Sequence, residues 1–281
     1  MSTLSNKQNQ YFLANLQVNL TVASFSHIIP SWKRINETDD FNRLYFIERG
    51  RGWMKVETEE IWATEGQMVV LPAQLPISYS TIDEQPFAKY WCHFTATLGN
   101  INLFQLVNVP YTLDVKDRGL MTEHFNQLID WHSNTHFTAA LRAKLLLTEL
   151  ICYYLEQSFR EQEHLSLGPR SVSLEKINTV LTYIENHLST SITVEELAEL
   201  VHFHPNYFIK FFKSILGTSP IQYVNQIRLE KGKQMLISSD ETITEIADRL
   251  GWDIYYFSRI FKRFTGLSPS EFRQLTRKNS N

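Results

Sequence analysis

A repeat with a constant offset of 49 residues in the C-terminal third does most to restrict how this chain can fold. Asn206-Tyr-Phe-Ile-Lys-Phe-Phe-Lys213 returns as Tyr255-Tyr-Phe-Ser-Arg-Ile-Phe-Lys262. Without any gap, the same offset pairs Thr193 with Thr242, Glu196 with Glu245, Ala198 with Ala247, Gly217 with Gly266, Ser219 with Ser268 and Pro220 with Pro269. Such a repeat is one supersecondary unit used twice. Thr193-x-x-Glu196 and Thr242-x-x-Glu245 are capping boxes that open a short helix. Ala198 and Ala247 keep its packing face small, and a turn of three or four residues leads into a second helix. Gly217 and Gly266 end that helix, and each Ser-Pro supplies an N-cap with a proline at the first position of the next one. The unit is therefore a helix-turn-helix.

The second helix of each unit has two unlike faces. A helical period places Phe208, Phe211, Phe212 and Ile215 inward in the first unit, and Phe257, Ile260, Phe261 and Phe264 inward in the second. Asn206, Ile209, Lys210 and Lys213 then face outward in the first, and Tyr255, Ser258, Arg259 and Lys262 in the second. An amphipathic helix over 174–188, with Ile177, Val180, Leu181 and Ile184 facing in, is expected ahead of the repeat. A connecting helix over 220–236 should bury Val224, Ile227 and Leu236. Gly232 inside it costs about 1 kcal/mol relative to alanine, which implies close packing against a neighbour.

Charge is informative only when divided. The net charge of the 281-residue chain is −3, but ahead of Arg170 it carries 13 basic and 18 acidic residues, and from Arg170 onward 14 and 12. Residues 254 to 281 hold six basic side chains against Glu271 alone, a local patch of the kind a phosphate backbone needs. The polar start of the chain lacks the apolar core of a signal peptide, and nowhere do eighteen uncharged apolar residues run together. A cytoplasmic protein with no membrane partner is expected. Cys92 and Cys152 lie in apolar contexts and read as buried free thiols.

From about Phe12 to Ala96 the period is two. Arg43-Leu-Tyr-Phe-Ile, Trp53-Met-Lys-Val-Glu, Ile61-Trp-Ala and Met68-Val-Val-Leu read as strands, with turns at Gly50-Arg-Gly52 and Glu65-Gly66. Short strands at this spacing predict a small β-barrel or jelly roll. Trp32, Tyr45, Trp53, Trp62, Tyr79, Trp91 and Phe94 make it unusually aromatic, and most of these are expected to fill its core. From Leu120 the period becomes helical, giving amphipathic helices over 120–131 and 141–155; the second has an apolar face too wide for one partner. The Gly-Pro-Ser composition around Gly168-Pro169 marks a linker. The expected organisation is an α+β two-domain chain: a barrel over 1–118, a helical pair over 119–163, a linker over 164–173 and an all-α domain of two helix-turn-helix units over 174–277.

Residues 174 to 277, and above all the stretch from Ile243-Thr-Glu-Ile-Ala through Gly266-Leu-Ser-Pro-Ser-Glu-Phe-Arg273, resemble the DNA-binding domain of the AraC/XylS family of bacterial transcription regulators. Gly66, five residues and Pro72, followed by Tyr90-Trp-Cys-His-Phe94, resemble the turn-strand-turn and late strand of the cupin-like domain that precedes it in many members. The first resemblance implies base contacts from Asn206, Ile209, Lys210, Tyr255, Ser258 and Arg259. Chemically, Arg259 suits guanine O6 and N7, Asn206 suits adenine N6 and N7, and Ile209 and Tyr255 suit thymine methyls. Lys213, Lys262 and Arg263 are placed for phosphates. The partner implied is double-stranded DNA, read in two adjacent major-groove segments, with RNA polymerase implied by the family.

A metal-binding cupin brings histidines and a carboxylate together inside the barrel. Here the first segment is Trp53-Met-Lys-Val, and Ile77 falls where the last histidine would stand. No metal and no cofactor is expected, and no enzymatic activity. The resemblance instead implies a small-molecule effector, a sugar being the leading class, with ligand contacts matching Arg34, Tyr79 and Trp91. His93 is expected to point away from Trp91 and to be structural. The helical pair is the usual dimer surface of the family, so a homodimer is expected, and activation rather than repression. Two alternatives are a constitutive DNA-binding protein whose barrel only dimerises, and a cupin-type enzyme tethered to DNA.

Overall fold

A computed structural model describes residues 13–29, 32–81, 87–99, 101–159 and 172–278. The chain folds as two compact units, Met1–Ser171 and Val172–Asn281. Of the expected linker, 164–171 lies outside the described residues, and Val172 and Ser173 already belong to a helix. Among the described residues no helix is long and apolar enough to cross a membrane.

The first unit is built from β1 (Gln17–Ile28), β2 (Lys33–Glu37), β3 (Asn42–Arg49), β4 (Arg51–Val56), β5 (Glu59–Thr64), β6 (Gln67–Leu71), β7 (Ile77–Thr81), β8 (Phe87–Leu98), β9 (Ile101–Asn102) and β10 (Thr112–Asp114). A short α1 (Leu103–Leu106) follows β9; α2 (Arg118–Ser133) and α3 (Ala139–Phe159) follow β10. One sheet has the order β1-β8-β3-β6-β10, with β9 also on β8, and the other β2-β7-β4-β5; the pairs are antiparallel.

The first sheet is buried on both faces. Leu44, Phe46, Met68, Val70, Tyr90, Cys92 and Phe94 pack on Phe125 and Leu128 of α2 and on Leu147, Ile151 and Tyr154 of α3. Tyr45, Ile47, Val69 and Leu71 point the other way, to Met54, Val56, Ile61, Ala63 and Ile77 of the second sheet. Each large apolar side chain buried this way contributes about 1.5–3 kcal/mol. Double burial also explains why β3 and β6 read as continuous apolar runs rather than as alternation. Ile77 is thus a core residue of the barrel interior.

Three expectations need correction here. Trp53 and Trp62 are direct cross-strand partners and do not fill the core, because Met54, Val56, Ile61 and Ala63 take the inward phase of β4 and β5; Trp62 is largely exposed. Cys92 is buried, but Cys152 is exposed, since Ile151 and Leu155 carry the packed face of α3. His93 does not point away from Trp91. Two residues apart on one strand they share a face, and their rings lie 4.8 Å apart.

The second unit is all helical: α4 (Val172–Asn186), α5 (Val194–Glu199), α6 (Pro205–Leu216), α7 (Pro220–Ser238), α8 (Ile243–Arg249), α9 (Ile254–Thr265) and α10 (Pro269–Lys278). Both capping boxes form. The Glu196 and Glu245 N–H groups donate to Thr193 and Thr242 Oγ1 at 3.2 Å, and the threonine N–H groups donate back to the glutamate carboxylates at 2.9 and 2.6 Å. Gly217 and Gly266 close α6 and α9 in the left-handed conformation, with φ of 71° and 80°. Ile177, Val180, Leu181 and Ile184 are buried.

The inward stripes differ in detail from the period. Phe211 is only half-buried, packing on the rings of Phe203 and Tyr207, and Leu216 is buried beyond it. Phe264 is 62% exposed. It lies in phase with Phe257, but Phe272 of α10 covers Phe261 and the apolar cluster ends there. In α7, Ile227 is half-buried while Tyr223, Arg228 and Leu229 are buried with Val224 and Leu236. A Cβ on Gly232 would stand 3.0 Å from Leu250 and 3.2 Å from Phe257, so that glycine lets the second repeat dock closely on the connecting helix.

Candidate functional site

The second unit presents the outward residues of α6 and α9. Asn206, Lys210 and Lys213 are exposed on α6, and Ile209 is half-buried. On α9, Tyr255 is 85% exposed, Arg259, Lys262 and Arg263 are exposed, and Ser258 is half-buried. The Arg259 guanidinium lies 5.5 Å from the centre of the Tyr256 ring. Ion pairs such as Lys233 with Glu230 and Arg249 with Glu241 lie elsewhere on this unit, on α7 and α8, and do not draw on these cations.

The two helices are started differently. Asp253 caps α9 by accepting from the Tyr256 N–H at 2.9 Å, whereas His204 Nδ1 accepts from the Asn206 N–H at 3.3 Å and Pro205 sets the first turn of α6. The turn ahead of each cap needs a left-handed residue at the same repeat position, His202 at φ 55° and Gly251 at φ 68°. Two cations that the sequence does not single out brace these turns. Lys176 donates to the Val201 carbonyl at 2.7 Å and covers the Phe203 ring. Arg228, buried on α7, donates through Nε to the Leu188 carbonyl at 2.9 Å and through Nη2 to the Thr190 carbonyl, and lies over Trp252. One side chain therefore ties the approach to the first repeat to the turn of the second.

In the first unit, the three expected ligand residues lie around the interior between the sheets. Arg34 and Tyr79 are direct cross-strand partners on β2 and β7, and Trp91 and Tyr79 both pack against the interior cluster. Arg34 pairs with Glu37 and, at 3.2 Å, with Asp39. Burial alone would lower its pKa; the bonds to Glu37 and Tyr79 and the charge of Asp39 outweigh this and raise it. Trp91 Nε1 donates to Ser26 Oγ at 2.9 Å. A separate open cavity of about 510 Å³, lined by Glu59, Asn108, Pro110, Tyr111, Gln157 and Ser158 among others, touches none of the three.

Sequence reasoning misses the strongest chemistry of this interior. Register sets Arg43 opposite His93, Tyr45 opposite Trp91 and Ile47 opposite Lys89 on the inner face of β3 and β8. Lys89 is 3% exposed, with its ammonium 3.2 Å from the centre of the Tyr45 ring and 4.2 Å from that of Trp32, which itself stacks on Tyr79. Burial, and then the charge of Arg43, hold the Lys89 pKa well below its ordinary value. Burial and the charges of Arg43 and Lys89 likewise bring His93 down to about 4. Arg43 is 2% exposed and bonds Asp39 at 2.6 Å through Nη2, while its buried Nη1 has no partner among the described residues. The one available signal is a lysine and an arginine at the inward phase of otherwise apolar strands.

A helix-turn-helix domain model matches residues 197–275 and an AraC-like ligand binding domain model matches residues 25–151. The chain is 29% identical over 216 residues to the MmsAB operon regulatory protein of Pseudomonas aeruginosa, covering 73% of this chain and 66% of that protein. It is 25% identical over 209 residues to the raffinose operon transcriptional regulatory protein of Pediococcus pentosaceus, covering 73% and 74%. With the lactose operon transcription activator of Staphylococcus xylosus it shares 24% over 201 residues, 69% of each. These relatives are regulators rather than enzymes, which removes the DNA-tethered cupin enzyme as an alternative. Two helix-turn-helix repeats behind a two-sheet ligand-binding domain, each matched by its own family model, make this chain a member of the AraC family of transcriptional regulators.

Proposed function

We propose that the chain is a sugar-responsive activator that reads an asymmetric DNA site with α6 and α9 together. The observation that carries the DNA reading is the matched pair of exposed polar faces on two capped helices set by one connecting helix. At 19 residues, α7 is about 28 Å long. If both helices enter the major groove on one side of the duplex, the two blocks lie one turn, about 34 Å, apart. Asn206, Ile209, Lys210, Tyr255, Ser258 and Arg259 would contact base edges, and Lys213, Lys262 and Arg263 phosphates.

The effector reading rests on the aromatic interior around Arg34, Tyr79 and Trp91, since an indole or phenol face suits the apolar face of a sugar. The raffinose and lactose operon regulators among its relatives support a sugar as the class. Leu141 and Leu145 of α3, both 62% exposed, support homodimerisation through that helix. The regulated partner would be RNA polymerase, and the site of action the cytoplasm. Effector binding would change how the first unit holds its partner copy or its own DNA-binding unit, and so the favoured DNA spacing.

Thermal unfolding of the full chain against a panel of sugars and sugar derivatives tests the effector reading. A ligand at a hundred times its dissociation constant adds about 2.7 kcal/mol. The shift should disappear in Trp91→Ala and in Tyr79→Ala; a panel without any shift removes the sugar and leaves another effector class or a constitutive DNA-binding protein.

A further inference from the structure

We propose that the effector carries a carboxylate, which Lys89 and Arg43 bind inside the first unit, so that the ligand is a sugar acid rather than a neutral sugar. This rests on the reading of that interior as the sugar site and makes it more specific. Two basic side chains are buried in this interior. Arg43 is 2% exposed and uses Nη2 on Asp39, yet its Nη1 is buried with no partner among the described residues. Lys89 is 3% exposed, and the contacts of its ammonium are the ring faces of Tyr45, Trp32 and Tyr79. An inner face that served only to pack the barrel would carry apolar residues at both positions, as β6 does with Val69 and Leu71.

Among the described residues Lys89 has no carboxylate beside it. Asp39 accepts from both Arg34 and Arg43, and Glu37 from Arg34, so both carboxylates are engaged by the two guanidinium groups. His93, opposite Arg43 on β8, is kept neutral by the same surroundings. Among the described residues the interior thus holds a guanidinium N–H without an acceptor and a lysine, held down in pKa by burial and by Arg43, directed only at rings. A carboxylate supplies a negative charge and two acceptor oxygens, which matches the deficit; a hydroxyl supplies no charge.

Room for the rest of the molecule would come from Lys89 itself. The Lys89 ammonium occupies the space over the Tyr45 and Trp32 faces. When its flexible stem swings the charge toward a carboxylate, those faces are released for the C–H face of a sugar ring, beside Tyr79 and Trp91. Ammonium and sugar ring would therefore exchange over the same aromatic walls, with Lys89 closing the empty site.

The test compares acids with their neutral parents on the full chain: glucuronate, galacturonate and gluconate against glucose and galactose, with the sugar 6-phosphates as a second anion. The expected result is a saturable rise in unfolding temperature with one or more of the acids, absent with the parents. Lys89→Met keeps the stem and removes the charge. The unliganded variant should unfold at the same temperature or higher, since a buried cation is gone, and its affinity for the acid should fall by about tenfold or more. A response to the neutral parents equal to that of the acids, or to the phosphates in place of the acids, overturns the carboxylate while the sugar site stands. No response to any of them overturns both. If Lys89→Met does not fold, the comparison of acids with parents on the unaltered chain still decides.

Discussion

At single positions, the two repeats solve one backbone problem with different residues. The turn between the helices requires a left-handed residue, which His202 meets at φ 55° and Gly251 at φ 68°. A non-glycine residue there costs about 1–2 kcal/mol. At Gly251 the obstacle is also tertiary, because a Cβ would lie 2.8 Å from the Ser189 carbonyl oxygen. Gly251→Ala should therefore destabilise the second unit by about 2 kcal/mol or more, combining left-handed strain with that collision. Urea unfolding followed by far-UV circular dichroism reads this directly; an unchanged midpoint would mean that the turn relaxes. Residues of this kind were partly legible. The offset of 49 pairs Gly251 with His202, but nothing in the order of residues brings Ser189 to Gly251. Lys89, Arg43 and His93 were hidden for a related reason. A period of two assigns faces along a strand, but β3 and β8 are buried on both, and only the second sheet decides which face becomes an interior.

At the scale of elements, the capped helices were read most directly, because capping boxes, Ser-Pro starts and glycine ends are local signals whose hydrogen bonds close within a few residues. Coverage was less legible. Phe264 keeps the phase of Phe257 and is exposed, since a stripe belongs to the helix while burial belongs to what packs on it. The same division governs the outward face of α9. Arg259 and Lys262 are both exposed cations, but they are expected to do different work on DNA. Arg259→Ala should cost about 1–3 kcal/mol at a guanine position and relax preference there, whereas Lys262→Ala should weaken all sequences alike and reduce the salt slope by about one. Competition binding with single-base variants of a selected site separates the two. Equal weakening of every variant by Arg259→Ala would reassign it to a phosphate.

At the scale of the whole molecule, duplication would set the length of the proposed DNA site. One connecting helix holds both repeats through Gly232, against Leu250 and Phe257, and through Arg228, against Leu188, Thr190 and Trp252. With that spacing fixed, inserting five base pairs between the two blocks of a selected site turns one block to the far side of the duplex. Binding should fall by at least about tenfold, toward the affinity of a single block, and return in part when ten are inserted, as the faces realign. Affinity indifferent to a five-pair insertion, measured by fluorescence anisotropy at one salt concentration, would mean that only one helix reads DNA.

The sequence by itself determined the two helix-turn-helix repeats, their caps and ends, most of the residues on their outward faces, the central strands β3 to β6 of the first unit and the order of its parts. Each of these is written in spacing and local hydrogen bonding, which act over a few residues. Only the tertiary structure decided which face of β3 and β8 became the barrel interior, that Arg43 and Lys89 share it with Trp32, Tyr45 and Tyr79, and that Arg228 ties the approach to the first repeat to the turn of the second. Those contacts join residues tens of positions apart, where burial and charge depend on the partner strand or helix rather than on the neighbours in the chain.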